Sequence, residues 1–382
     1  MKIMLVAAEA SGDALGAGLA RALKAREPGV AFVGVGGPRM AAEGVQSPFD
    51  IAELSILGWL EGLRAYRRVK ARVADTVALA VQARPDAVVL IDSWGFTIRV
   101  AKALREALPG VPLIKYVGPQ VWASRPGRAK TLAGAVDHLL ALYSFDAPWF
   151  EAEGLPTTVV GSSALHVDMD SADGARFREG RGLRPDAPLL LVLPGSRPSE
   201  IGHMTPVYGQ AVARLRQTHP GLEVALVVAG TVAADVTARV AAWPFRVHLV
   251  QEDEKYDAMR AATVALATSG TVSTELALAG APMVIAYRFD PLSYAIMKPF
   301  FTGKFATLFN TAADAMIAPE LIQKDATPEK LAAAVGRLLD DPVLRIDQAA
   351  RQTAALGRMG GGGRDPSEIA AEAVWAVIAG RA

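Results

Sequence analysis

The sequence predicts an α/β protein built from two Rossmann-like domains, each a parallel sheet covered by helices on both faces. Strands alternate with helices along almost the whole chain. Strands such as 87–91 (AVVLI) are apolar at consecutive positions, which is typical of strands buried on both faces. The alternation lapses once, near 164–186, and then resumes, and 382 residues suffice for two domains of about 150 residues each. We therefore expect two similar sheets facing each other across a central cleft.

The first predicted domain covers residues 1–165 and begins with a strand, a short turn of sequence ASGD and a helix. A long amphipathic helix is expected at roughly 60–83, because apolar residues recur there every three or four positions. The other predicted strands are 31–37, 86–92, 112–118, 137–144 and 157–162, and the other predicted helices are 98–107, 125–134 and 146–153.

The second predicted domain covers residues 186–355 and follows a charged stretch at 164–186 that we interpret as a linker. Its predicted strands are 188–196, 223–230, 247–251, 263–270 and 282–288, and its predicted helical segments are 205–218, 233–242, 256–261, 272–279 and 327–355.

The last predicted segment, 356–382, joins a glycine hinge at 360–363 to a final helix over 366–380. The apolar face of that helix must dock on another part of the protein. A flexible hinge would also permit two copies to exchange their terminal elements, which would make a homodimer.

Composition excludes several classes of function. Forty Lys and Arg against 39 Asp and Glu give a formal charge of +1, which argues against a nucleic-acid partner recognised through overall charge. The absence of cysteine excludes disulfides, thiolate metal sites and a cysteine nucleophile, and five scattered histidines predict no zinc centre. Acidic residues directly after the first apolar run predict no signal peptide. No apolar run approaches the ~20 residues of a spanning helix, so we expect any membrane contact to be peripheral.

The turn after the first strand contains Ser11, Gly12 and Asp13. Ligands of parallel α/β sheets bind at the carboxyl ends of the strands, and small residues there let backbone N–H groups approach a ligand. The alternative is that Ser11 or Asp13 only caps the following helix. This turn has no GxGxxG pattern, so it does not support dinucleotide binding.

Two loops of the second domain form a candidate diphosphate site. The first ends a strand with a tight glycine turn and an arginine, whose guanidinium offers two parallel donors to phosphate oxygens. The second opens a helix, and a glutamate one turn inside that helix is suited to ribose hydroxyls. The alternatives are a surface turn with a solvated arginine and a glutamate that only favours the helix. The candidate residues are Gly195, Ser196, Arg197, Ser269, Gly270, Thr271 and Glu275.

Asp92 ends the apolar strand of the first domain. A poorly solvated carboxylate at the carboxyl edge of a sheet is suited to act as a general base. The alternative is that Asp92 caps the next helix.

The start of the long amphipathic helix is strongly basic, with the sequence RAYRRVKAR at 64–72. A basic amphipathic helix preceded by an aromatic residue is typical of a membrane surface, although a solvated face over a core stripe is the alternative. The segment 298–305 (KPFFTGKF) is a second candidate for membrane contact. The membrane-facing candidates are Leu57, Trp59, Leu60, Leu63, Arg64, Arg67 and Arg68.

Together these motifs resemble the lipid-A-disaccharide synthase family, which are inverting glycosyltransferases with the two-domain GT-B fold. The similarity is collinear over nearly the whole chain. It runs through AAEASGDALGAGLARALK (7–24), FVGVGGPRM (32–40), LGWLEGL (57–63), PDAVVLIDS (85–93), YVGPQVWA (116–123), LPGSRPSEI (193–201), SGTVSTELALAGAPMVIAYR (269–288) and PELIQKDATPEKLAAA (319–334).

The resemblance implies a reaction that joins UDP-2,3-diacylglucosamine to 2,3-diacylglucosamine 1-phosphate and releases UDP, without a cofactor. It implies that the second domain holds UDP and the first holds the lipid acceptor, at the inner face of the cytoplasmic membrane. Asp92 would then be the base for the acceptor hydroxyl, and Arg197 would neutralise the departing diphosphate. The residues matched to acceptor binding are Glu9, Ser11, Gly12, Asp13 and Asn310.

The chain departs from the family pattern at loops predicted to face the acceptor, namely Trp94–Gly95, Gln120, Ser162 and Ala312–Ala315. Two alternatives therefore stay open: a UDP-sugar transferase or epimerase that uses another acceptor, and a non-catalytic protein that binds a nucleotide sugar.

Overall fold

The protein is described by a computed structural model that covers residues 1–54, 62–290, 294–295, 298–360 and 363–380. It divides into two compact units: unit 1 spans Met1–Ser162 and Gly363–Ala382, and unit 2 spans Ser163–Gly362. The chain thus returns to unit 1 after completing unit 2. The boundaries differ from the predicted ones, because residues 163–186 belong to unit 2 and the last helix belongs to unit 1.

Unit 1 contains a parallel six-stranded sheet of order β2-β1-β3-β4-β5-β6. Its strands are β1 (Lys2–Ala7), β2 (Ala31–Val35), β3 (Ala87–Ile91), β4 (Leu113–Tyr116), β5 (His138–Ala141) and β6 (Thr157–Val159). Its helices before the crossing to unit 2 are α1 (Ala10–Arg26), α2 (Pro38–Ala42), α3 (Gly62–Ala83), α4 (Trp94–Ala107), α5 (Arg128–Ala133) and α6 (Ala147–Glu151).

The apolar strands of unit 1 serve two hydrophobic layers. Met4 and Leu90 belong to a cluster on one face of the sheet, whereas Leu5 and Val89 belong to a cluster on the other. Because successive side chains of a strand point to opposite faces, a sheet covered on both sides needs apolar residues at every position. This confirms the interpretation of the uninterrupted apolar strands.

Unit 2 contains a second parallel six-stranded sheet, of order β12-β11-β10-β7-β8-β9. The predicted α/β class with two Rossmann-like domains is therefore confirmed. Its strands are β7 (Leu189–Leu193), β8 (Glu223–Val227), β9 (His248–Val250), β10 (Val264–Thr268), β11 (Met283–Tyr287) and β12 (Glu320–Ile322). Its helices include α7 (Gly174–Gly180), α8 (Pro198–Thr218), α9 (Ala233–Val240), α10 (Lys255–Ala261), α11 (Val272–Leu278), α12 (Leu308–Ala313), α13 (Pro328–Asp340) and α14 (Pro342–Arg358).

The final helix, α15 (Pro366–Ala379), packs against α1 within unit 1. Its buried residues Ala371 and Val374 join the hydrophobic cluster that contains Leu19 and Leu23 of α1. The apolar face expected to dock elsewhere is therefore covered by the first helix of the same chain. Exchange of this helix between two copies stays a prediction.

The segment predicted as a linker contains α7. Asp173 caps this helix by accepting a hydrogen bond from the backbone N–H of Arg176 at 2.9 Å, and Phe177 is buried. Helix α7 packs against α10. The charges that indicated a linker instead form caps and ion pairs, such as that between Arg176 and Asp257.

Several helix boundaries differ from the predictions: α1 includes the residues predicted as a turn at 10–13, and α4 begins at Trp94 rather than 98. Two further differences have local reasons. The segment predicted as helical over 327–355 is two helices, because Asp341 caps α14 with its side chain and Pro342 occupies the first helical position. Helix α8 begins at Pro198 rather than 205, since Pro198 is suited to a first turn and Glu200 accepts the N–H of Arg197.

Candidate functional site

Both sheets reverse their strand order at one point, and the predicted diphosphate residues, together with Ser11 and Asp92, lie at these points. In unit 2, β7 is paired with β10, and the chain continues from these strands in opposite directions across the sheet. In unit 1, β1 and β3 form the equivalent pair. The loops that follow such a pair of strands run in opposite directions, so a crevice forms between them. Parallel α/β sheets bind their ligands in this crevice.

The crevice of unit 2 holds a cavity of about 260 Å³. A larger open groove of about 1230 Å³ is lined by residues within 169–185 and by Arg260 and Ala261, none of which lines this cavity. The cavity brings together every residue predicted for the diphosphate site. Its lining comprises Leu193, Pro194, Gly195, Ser196, Arg197, Glu200, Val227, Ala229, Glu252, Lys255, Thr268, Ser269, Gly270, Thr271, Val272 and Glu275.

The loop after β7 is shaped by Glu200, which sequence analysis missed. Its buried carboxylate accepts the backbone N–H groups of Ser196 at 3.0 Å and Arg197 at 3.3 Å, and the Arg197 guanidinium at 3.0 Å. The hydroxyl of Tyr287 also donates to it, at 3.3 Å. The Arg197 side chain is 74% exposed, so most of its guanidinium is available to a ligand at the cavity.

Gly195 is required by this geometry. Its φ of +112° is unfavourable for side-chain-bearing residues, and an added Cβ would lie 2.4 Å from Oε2 of Glu200. The glycine therefore lets the loop turn tightly over the carboxylate.

The loop after β10 places Ser269, Gly270 and Thr271 at the same cavity, followed by α11. The hydroxyl of Ser269 donates to the carbonyl of Ala306 at 3.3 Å, and that of Ser273 donates to the carbonyl of Gly270 at 2.7 Å. These bonds hold the loop that leads into the helix.

Glu275 forms a charged cluster with Lys255, a second residue that sequence analysis missed. Lys255 Nζ donates to Oε1 of Glu275 at 3.1 Å and to Glu252 at 2.9 Å, and the hydroxyl of Tyr256 donates to Glu275 at 3.3 Å. Burial opposes the charged form of Lys255, but the two carboxylates outweigh it and raise its pKa. Lys255 follows β9 at the carboxyl edge of the sheet, so the rule that selected the other loops would also have selected it.

In unit 1, Ser11 and Asp92 meet at the paired strands β1 and β3. The hydroxyl of Ser11 donates to Oδ2 of Asp92 at 2.7 Å. Gly12 permits this approach, because an added Cβ would lie 3.2 Å from Cβ of Ala7 and 3.4 Å from the carbonyl oxygen of Ile91. Asp92 is half-buried, with a φ of 51° that is uncommon outside glycine.

A buried lysine, also missed by sequence analysis, lies beneath Asp92. Lys115 is 2% exposed, and its ammonium group donates to the backbone carbonyl of Asp92 and, at 3.0 Å, to the hydroxyl of Thr97. Burial lowers the pKa of Lys115 to about 7, although the negative charges of Asp92 and Glu9 partly oppose that shift. A lysine inside an otherwise apolar strand (LIKY) was the available signal.

Two residues matched to the acceptor site are engaged in structural contacts. The buried carboxylate of Asp13 accepts backbone N–H groups of Gly37 at 2.7 Å and Met40 at 3.0 Å, at the start of α2. Asn310 belongs to unit 2, where its buried side chain accepts the N–H of Ile317 at 2.8 Å and donates to Glu320 at 2.8 Å. Glu9 is exposed at the start of α1.

An aromatic cluster lies on the loops after β4 and β5, at the same edge of unit 1. The ring centroid of Phe145 is 5.2 Å from that of Tyr143 and 5.4 Å from that of Trp122. Nε1 of Trp122 donates to Oδ1 of Asp146 at 2.9 Å. Burial raises the pKa of Asp146 to about 6, because the bonds from Trp122 and from the Tyr143 N–H compensate only in part.

The membrane-facing candidates are described only in part. Leu57, Trp59 and Leu60 lie outside the described residues, and Leu63 and Arg64 lie on the first turn of α3. Further along this helix, Arg67 and Arg68 are exposed, whereas the apolar stripe that contains Val69, Val73 and Val77 packs against the core. Among the described helices, none has both the length and the apolar character needed to cross a membrane. Within the described ranges, no three acidic or histidine side chains are grouped as a metal ion would need.

A family model and the sequence relatives indicate one family. The family model described as Lipid-A-disaccharide synthetase matches residues 3–372. The lipid-A-disaccharide synthase of Rhodospirillum centenum is 45% identical over 381 residues, which is 99% of this chain and 95% of that protein.

Among solved structures, the UDP-GlcNAc 2-epimerase from Neisseria meningitidis, bound to UDP-GlcNAc, superposes with a TM-score of 0.62 at 12% identity, over 98% of this chain and all of the other. The calicheamicin glycosyltransferase CalG4 gives 0.57 at 18% identity, over 99% and 98% of the two chains. At these identities the structural likeness concerns the fold alone, an α/β fold with two Rossmann-like domains.

Proposed function

Since the chain belongs to the lipid-A-disaccharide synthase family, whose members are glycosyltransferases, we propose that it joins UDP-2,3-diacylglucosamine to 2,3-diacylglucosamine 1-phosphate. The products are a β-1,6-linked disaccharide 1-phosphate and UDP. The observation that carries the proposal, beside family membership, is the cavity at the paired strands β7 and β10, where an arginine and a helix-opening loop converge.

UDP is the proposed ligand of this cavity. The Arg197 guanidinium donates to Glu200 through one nitrogen, Nη1. Its other N–H groups can therefore donate to the diphosphate. The backbone N–H groups of Gly270 and Thr271, ahead of α11, are suited to the same oxygens, whereas that of Ser269 donates to the carbonyl of Ala286 at 3.2 Å. Glu275 is oriented by Lys255 and Tyr256 and retains acceptor capacity for the ribose hydroxyls.

Asp92 is the proposed general base for the acceptor. Its carboxylate takes the proton of the acceptor 6-hydroxyl while that oxygen forms a bond to the anomeric carbon of the donor. The bond from this carbon to the diphosphate oxygen breaks, its electron pair leaves with UDP, and the configuration inverts. Donors such as Arg197 that meet the growing charge on the leaving group are each worth about 3–4 kcal/mol of barrier. The proposal requires that the acceptor at Asp92 and the donor in unit 2 meet across the cleft predicted from the sequence.

The decisive test supplies both acylated substrates and detects the disaccharide and UDP by mass spectrometry. Asp92→Asn keeps the side-chain shape but not the base, and we expect kcat to fall by about 10²- to 10⁴-fold with UDP affinity unchanged. Glu151→Gln, at an exposed position of α6, removes an equal charge and should keep wild-type activity. Conversion of the donor to an epimeric UDP-sugar would favour an epimerase, and turnover only with an added second acceptor would favour another transferase. UDP binding without turnover would favour a non-catalytic protein.

The diphosphate role of Arg197 has its own test. Arg197→Ala should weaken UDP binding about 10- to 100-fold in calorimetry, since a charged hydrogen bond contributes about 1.5–3 kcal/mol. Arg246 is a matched control, because it is exposed and precedes β9, at the opposite edge of the sheet. Equal UDP affinity in Arg197→Ala and Arg246→Ala would remove Arg197 from the site.

We further propose that residues 57–68 contact the inner face of the cytoplasmic membrane, where an acylated acceptor would reside. The exposed Arg67 and Arg68 support this, since basic residues near an anionic surface contribute about 1 kcal/mol each. Reversing both charges to glutamate should weaken binding to phosphatidylglycerol vesicles about tenfold or more. Reversal of Lys102 and Lys130, also exposed in unit 1, is the control, and an equal loss there would indicate only unspecific charge attraction.

A further inference from the structure

Asp92 and Ser93 have an unusual backbone. Their φ values are 51° and 37°, so two consecutive residues with side chains adopt the left-handed region. Such a turn persists only where surrounding contacts hold it. Here the turn determines the direction of the Asp92 carboxylate.

The contacts that hold the turn come from two side chains below it. Lys115 and Thr97 both donate to the backbone carbonyl of Asp92, the latter at 2.9 Å. The Thr97 hydroxyl also lies 3.0 Å from the carbonyl of Ser93 and 3.0 Å from Lys115 Nζ. Together with the bond from Ser11 to Oδ2, they engage Asp92 from both its backbone and its side chain.

We infer that Lys115 is a positioning residue for Asp92, acting with Thr97 to hold the turn in which the carboxylate can reach the acceptor hydroxyl. Lys115 is 2% exposed and therefore does not touch the substrate itself. Burying an ammonium group in a sheet costs free energy unless hydrogen bonds compensate. Burial accordingly lowers the pKa of Lys115 to about 7. The charged groups that act on it are Asp92 and Glu9. This inference rests on the proposed role of Asp92.

The test is a double-mutant cycle on the full-length protein with both acylated substrates. Lys115→Met fills nearly the same volume without the ammonium group, and we expect kcat to fall about 10²-fold while UDP affinity stays within about twofold, because small displacements of a catalytic group have effects of that size. In the Asp92→Asn background, Lys115→Met should cause no further loss. If Lys115→Met lowered kcat in that background by the same factor as in the wild type, the inference would be overturned, since Lys115 would then act independently of Asp92.

A second pair of variants covers the case in which Lys115→Met does not fold, as judged by circular dichroism. Thr97→Val removes the hydroxyl at constant shape and should lower kcat in the same non-additive way, whereas Thr97→Ser keeps the hydroxyl and should retain most of the rate. Wild-type kcat in Lys115→Met, or in Thr97→Val, would overturn the inference. If Asp92→Asn itself keeps wild-type kcat, the proposed function of Asp92 fails together with the inference. Slow turnover in Asp92→Asn with fast turnover in Lys115→Met refutes the inference alone.

Discussion

Short-range geometry at individual residues shapes both candidate sites. Gly195 turns the loop after β7 over the buried carboxylate of Glu200, and Gly12 lets α1 approach β3 so that Ser11 reaches Asp92. In both places the absence of a side chain permits a polar contact that a larger residue would block. Such positions are therefore sensitive to a single added methyl group.

Gly195→Ala should lower UDP affinity by about tenfold or more. Alanine is strained at a φ of +112°, a cost of about 1–3 kcal/mol, and its Cβ would displace the carboxylate that holds the loop. Gly202→Ala in α8 is the matched control, because an added Cβ meets nothing within 4 Å there and should leave affinity unchanged. Titration calorimetry with UDP measures both, and equal affinities would contradict the role of Gly195.

The raised pKa of Asp146 predicts a pH-dependent stability of unit 1. Between its ordinary value of 3.8 and about 6, the folded state binds more protons at Asp146 than the unfolded state. The contribution of Asp146 to the free energy of unfolding is therefore complete below pH 4 and decreases as pH rises to about 6. The decrease is about 3 kcal/mol at most.

Asp146→Asn should remove this loss, because the amide does not titrate. The free energy of unfolding of the variant, relative to wild type, should therefore rise from pH 4 to pH 7 in urea titrations. Loss of the bond from the Tyr143 N–H adds a constant, pH-independent offset. Asp186→Asn, whose side chain is 80% exposed, should keep the wild-type pH dependence, and a parallel curve for Asp146→Asn would refute the argument.

At the scale of elements, helix α15 completes the core of unit 1 from the far end of the chain. Its pattern predicted an apolar face, and α1 supplies the partner surface through Leu19 and Leu23. Arg26 and Arg364 both pair with Glu372 at the rim of this contact. Because of this packing, the stability of unit 1 depends on residues that follow unit 2 in the sequence.

Val374→Asp should destabilise unit 1 strongly. The residue is fully buried, and an unpaired carboxylate in an apolar contact costs several kcal/mol, so we expect about 3 kcal/mol or more. Val343→Asp, at a position that is 74% exposed, is the control and should change stability by less than about 0.5 kcal/mol. Thermal unfolding by circular dichroism compares them, and equal midpoints would show that α15 contributes little.

At the scale of the whole molecule, the protein has separate hydrophobic cores. Two clusters cover the faces of the first sheet, and a large cluster containing Leu190 and Leu226 lies in unit 2. Each unit thus has the apolar interior that a domain needs to fold. The proposed donor cavity belongs wholly to unit 2.

UDP should therefore raise the unfolding temperature of unit 2 without stabilising unit 1. A ligand at 100 times its Kd adds about 2.7 kcal/mol to the state that binds it. In calorimetry of Val374→Asp, we expect an early transition insensitive to UDP and a later one that UDP shifts upward. A UDP-dependent shift of the early transition would contradict the assignment of the cavity to unit 2 alone.

The sequence by itself determined the fold class, the strand-end loops and the family resemblance. These depend on local periodicity and on short motifs such as Gly195–Arg197, which are written in consecutive residues. It misjudged the segment 164–186, because charged residues at helix caps resemble those of a linker.

Only the tertiary structure decided which side chains meet. Ser11 contacts Asp92 across 81 positions of sequence, Lys255 reaches Glu275 across 20, and α15 returns to α1 after the whole of unit 2 has intervened. The same holds for the lysine beneath Asp92. Such contacts follow from strand order and helix packing, and these are set by the burial of the whole core rather than by any local pattern.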